Sequence, residues 1–144
     1  MSNLKNTNLK IAEFAMGCVE DVIENGSIES DKYKTLAKKM STLIQQNGFI
    51  GTLVFNLSKI NKTHHKEVLK NIIEWTNKND KICDIKDFKN KNINFEKVSD
   101  IDVFTRYIEW IISLNQREYR LITKEMMNLF AWIKRFADGM IEGE

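Results

Sequence analysis

No proline occurs anywhere in the 144 residues of this chain, and that single absence narrows what it can build. Sheet edges, tight turns and irregular linkers use proline routinely. A chain without it suits long helices joined by turns of glycine and asparagine. Leu, Ile, Met, Lys and Glu are abundant, and most of these are good helix formers. The apolar fraction of 42% is enough for a packed core. The length fits one domain. The expectation is therefore an all-α fold: a compact bundle of about six helices forming a single domain over residues 1–144.

Hydrophobic spacing places the helices. The first spans about Asn8 to Glu24, with Ile11, Ala15, Cys18 and Val22 on one stripe, and Asn25-Gly26 supplies its stop. Ser30 or Asp31 is placed to cap the second, about Asp31 to Gln46, whose stripe is Tyr33, Leu36, Ala37, Met40 and Ile44. Asn47-Gly48 ends it. A more apolar third helix follows, about Phe49 to Lys59, then a fourth, about Thr63 to Asn77. Residues 78–98 lose periodicity and read as a mobile connection, with one short helix near Asp84 to Lys89. Ser99 and Asp102 occupy capping-box positions for a fifth helix reaching about Leu114. The sixth runs from about Arg117 to Met140.

The net charge of +2 hides a strong asymmetry. Residues 1–31 carry two lysines against six acids, whereas residues 32–70 carry eight lysines against Glu67 alone. A basic middle section on a nearly neutral chain suits a polyanion. The start is polar and no apolar run has membrane-spanning length, so a cytoplasmic protein is expected. Cys18 and Cys83 lie far apart, and Cys18 falls on an apolar stripe, which favours a buried thiol over a disulfide.

Catalytic patterns are missing. His64 and His65 are adjacent, so they are expected to point to different sides of a helix, and neither has the second histidine of a zinc-binding helix. No acid–base pair or nucleophile stands out, so no enzyme, metal or cofactor is expected. Gly48-Phe49-Ile50-Gly51 matches the GxxG of KH domains, but such a domain needs a sheet. Gly48 fits better as a positive-φ helix stop, and Gly51 as a point of close helix approach. The backbone N–H groups that open the third helix could hold a phosphate if exposed.

The lysines carry more information. At helical pitch Lys34, Lys38, Ser41 and Gln45 share one flank of the second helix, and Lys32, Lys39 and Gln46 the other. Lys62, Lys66 and Lys70 are four apart on the fourth. Arg117, Arg120, Lys124, Asn128 and Arg135 fall opposite the apolar stripe of the last helix. Like charges four apart cost an isolated helix roughly 0.2–0.5 kcal/mol per pair. Rows of cations interleaved with amides match a phosphodiester backbone. Phe14, Tyr33, Trp110 and Phe130 read as core, while Phe49, Trp132 and Phe136 lie at stripe edges.

Several segments resemble one family. Tyr33-Lys34-Thr35-Leu36-Ala37-Lys38-Lys39-Met40, Leu43-Ile44 with Asn47-Gly48-Phe49, and the helix ending in Ser58-Lys59 are similar to the small subunit of type III-B (Cmr) CRISPR complexes. Ala131-Trp132-Ile133-Lys134-Arg135-Phe136-Ala137 is similar to that family's terminal motif, and Glu118-Tyr119-Arg120 to the start of its last helix. The resemblance implies a non-catalytic, all-helical subunit without a cofactor. It also implies stacking into an inner filament, contact with other Cmr subunits, and lining of the groove for guide RNA and single-stranded target RNA.

The candidate RNA-binding residues are Lys34, Lys38, Lys39, Gln45, Asn47, Lys59, Arg120, Lys134 and Arg135. Gln45 and Arg120 rest mainly on helical-face position. Lys134 is nearer the apolar stripe, where a subunit contact is its other use. The competing readings are a helical adaptor that binds only protein, and the small subunit of the related type III-A complex.

Overall fold

The computed structural model describes residues 3–79, 82 and 100–142, with 3–8 and 100 as backbone. They form five helices: α1 (Asn3–Glu24), α2 (Ser30–Ser58), α3 (Thr63–Lys78), α4 (Asp100–Ile112) and α5 (Gln116–Met140). There is no strand among the described residues. The all-α class is as the sequence predicts, and five helices stand against an expected six.

The difference in count lies in α2. Its helical bonding continues past Gly48, but Gly48 itself sits at φ 76°, ψ 165°. That backbone region is open essentially to glycine alone. The chain reverses there, and the limbs 30–47 and 49–58 fold against each other. Asn56 Nδ2 reaches Met40 Sδ at 3.7 Å across the bend. The sequence places the second and third helices correctly on either side of Gly48, with no loop between them. Gly51 lies close against the first limb, where a Cβ would meet the Asn47 side chain at 3.2 Å across the bend. At Gly48 a Cβ would lie 3.4 Å from the Tyr119 hydroxyl, an ordinary contact, so it is the positive φ that calls for glycine there.

Helix α2 packs against α3, α4 and α5, and α5 also carries α1. α2 and α5 run antiparallel. Lys34 meets Ile141 at one end, and Ile50 meets Tyr119 at the other. The core is aromatic-rich, with Trp110, Tyr33, Tyr107, Phe49, Phe104 and Phe130 fully buried. Burial of such rings is the main favourable term for a body of this size. Their polar tips are satisfied: the Tyr33 hydroxyl donates to Asn71 Oδ1 at 2.6 Å, and the Tyr107 hydroxyl pairs with Thr76 at 2.8 Å. Phe49 thus belongs to the core rather than to a stripe edge.

The helix ends differ from expectation in two places. The N-cap of α2 is Glu29, without a side-chain bond, instead of Ser30 or Asp31. At α5, Asn115 and Glu118 form a reciprocal capping box that the sequence reading passed over. The short helix expected near 84–89 and the cap at Ser99 lie outside the described residues, as does most of the 78–98 connection. Of that connection, Lys78 closes α3. Asn79 is buried, donating to Glu125 Oε1 at 2.8 Å, and Ile82 is buried beside it.

Candidate nucleic-acid interface

The nine candidate residues divide between different surroundings. Lys34 is buried, and its ammonium donates to the Ile141 carbonyl at 3.0 Å. Its expected outward placement is therefore corrected: it ties the end of α5 to the start of α2. The reason is the crossing of α5, which covers that edge of the flank. One turn on, Lys38 stays about two-fifths exposed and pairs with Asp138 at 3.1 Å. Gln45 and Asn47 are exposed near the bend. On α5, Arg120, Lys134 and Arg135 are exposed, as are Arg117, Lys124 and Asn128. A cationic ridge thus runs along that helix, interrupted by Asn128. Arg135 lies over the Trp132 ring at 5.0 Å, and Trp132 stacks on Phe136 with centroids 6.1 Å apart. That cation–π contact fixes the guanidinium while leaving it exposed.

Lys39 lies on the other side of α2. With Lys32, Phe55, His64 and His65 it lines a cleft of ≈ 560 Å³ between the two limbs of α2 and the start of α3. Lys59 is half-buried, its ammonium 5.7 Å over the Phe55 ring. The structure therefore does not gather all nine residues on one face.

The histidines depart most from expectation. Instead of diverging, their rings approach to 4.5 Å and line one cleft. Their position in the first turn of α3, against the folded-back limb of α2, brings them together. His65 is buried with Nδ1 2.8 Å from Asn56 Oδ1. Because the Asn56 amide nitrogen donates to the Thr52 carbonyl, Oδ1 is the acceptor and His65 Nδ1 carries the proton. Burial, with His64, Lys59 and Lys62 nearby, pushes the His65 pKa down to about 4. Burial and Lys32 lower that of His64 too. Both imidazoles are neutral at neutral pH. The only sequence signal for the cleft was a His-His pair flanked by Lys62 and Lys66.

The N–H groups at the bend are not open to a phosphate. Phe49 is buried, and Ile50 N donates to the Tyr119 hydroxyl at 3.0 Å. Cys18 is buried as expected, and burial raises its thiol pKa. Among the described residues, no three His, Cys, Asp or Glu side chains assemble in a metal-binding group. No helix among them is long and apolar enough to cross a membrane.

These features define a small all-α protein with a row of exposed cations along α5. The chain matches the family model of the CRISPR-associated protein Cas_Cmr5 over residues 7–140. It belongs to that family, the small subunit of type III-B CRISPR complexes. Membership implies association with other subunits of the Cmr complex. No curated protein matches the chain.

Proposed function

We propose that this chain is a non-catalytic, cytoplasmic subunit that grips guide and target RNA by the phosphate backbone and stacks with copies of itself into an inner filament. The carrying observation is the exposed row Arg117, Arg120, Lys124, Asn128 and Arg135 along α5. Arg117, Arg120 and Lys124 are spaced about a helical turn apart, Asn128 follows one turn on and Arg135 two turns further, a row that suits phosphates without reading bases. Sequence selection then rests with guide pairing. Lys38, Gln45 and Asn47 extend the same chemistry onto α2. Lys34 has no part in it, since its ammonium is spent inside.

Protein contact has its own support. Leu9, Met16 and Ile23 recur every seventh residue on α1 and are 60%, 40% and 46% exposed. Such a stripe suits a neighbouring subunit.

The test is anisotropy of a labelled, arbitrary single-stranded RNA across a salt series. Log affinity should fall with log salt by about 0.7 per phosphate engaged. Reversing Lys38, Lys39 and Arg135 together to Glu should weaken binding by roughly tenfold or more. Salt-independent or absent binding, by the chain and by the assembled complex, would leave only the protein-adaptor reading.

A further inference from the structure

The ridge on α5 accounts for backbone contacts, but it gives no task to the cleft on the opposite flank of α2. That cleft has an unusual lining for a surface that merely attracts phosphates. Leu36, Leu43 and Phe55 make an apolar wall, the two imidazoles supply flat polar rings, and Lys32 and Lys39 supply the positive charge. Its volume of ≈ 560 Å³ lies within the roughly 300–1,000 Å³ typical of small-ligand sites. Phosphate alone needs no apolar wall. An aromatic heterocycle does, and its attached phosphates need the lysines.

We propose that this cleft receives one unpaired base of the bound RNA strand, with Lys32 and Lys39 on the phosphates flanking it. The assignment rests on the RNA-binding reading above and adds a base site to it. Two further observations support it. Lys32 makes an exposed pair with Glu29 at 3.1 Å, an interaction weak enough to exchange for a phosphate. Asp31 lines the cleft and is an acceptor for a base amino group. Because both histidines are neutral, they meet the base as rings and hydrogen-bonding edges rather than as charges.

The experiment compares two labelled oligoribonucleotides of equal length, one intact and one built of abasic ribose phosphates, binding to the full chain. The intact strand should bind roughly tenfold tighter. Thr35 is exposed at the cleft, so Thr35→Trp fills it without entering the core. That variant should bind the intact strand as weakly as the abasic one and leave abasic binding unchanged. Phe55→Ser, checked for folding by circular dichroism, should do the same. Equal affinity of the wild-type chain for both strands, with normal salt dependence, overturns the base site and leaves backbone binding standing. Failure to bind either strand overturns both. If Thr35→Trp keeps its RNA affinity but no longer enters the Cmr complex, the cleft belongs to a protein neighbour and the proposal is wrong.

Discussion

The two flanks of α2 carry similar lysines and put them to different uses. Toward α5, Lys34 is buried on the Ile141 carbonyl and Lys38 pairs with Asp138. Toward α3, Lys39 and Lys32 border a cleft that also holds two neutral histidines. On the first flank Lys34 is consumed by the fold and Lys38 is left in a part-exposed pair, whereas the second flank borders an open cleft. A lysine's helical position selects its flank, but the neighbour packed there decides whether its charge is free to act.

The bend at Gly48 keeps the two flanks distinct, and breaking it should have the largest effect. Gly48→Ala forces a Cβ into glycine-only backbone beside the Tyr119 hydroxyl and should cost about 3 kcal/mol, read from urea denaturation. Next, Lys34→Met should cost about 2 kcal/mol by stranding the buried Ile141 carbonyl, with little change in RNA affinity. Lys39→Ala should do the reverse, changing stability by no more than about 0.5 kcal/mol while weakening RNA binding. If both variants lose stability alike, the contrast between the flanks fails.

Acid sharpens the comparison on the α3 side. The pKa of His65 is about 4 in the fold and lies near 6.5 when the chain is unfolded, so the unfolded state binds more protons between those values. Stability should therefore decline as pH falls from about 6.5 to about 4. The His65→Gln variant should flatten that part of the pH profile of the melting temperature. The smallest effect is expected at Asp138. Asp138→Asn removes an exposed pair and should change stability by less than about 1 kcal/mol, while releasing Lys38 and raising RNA affinity slightly in low salt.

Helix positions were legible because burial at a period of 3.6 residues writes itself into the order of apolar residues. Tyr33, Met40 and Ile44 show this on α2, and Met126, Phe130 and Ile133 on α5. The α5 ridge was legible as the complement of that stripe. The base-sized cleft was not, because Lys39, Phe55 and His65 meet only after α2 doubles back. Nothing in local spacing says that the limbs will touch. The pairing of His64 with His65 was missed for the same reason.

What the order of residues determined unaided is the all-helical class, the helix break at Gly48 and the existence of cationic rows. These depend on contacts within a few residues, where backbone preference and periodicity act directly. The packing of α5 and α3 on either side of α2 decided which lysines are consumed, which remain exposed, and that two adjacent histidines share one cavity. Those outcomes depend on groups brought together from distant parts of the chain, and the energy of a charge or an imidazole is set by its surroundings in space.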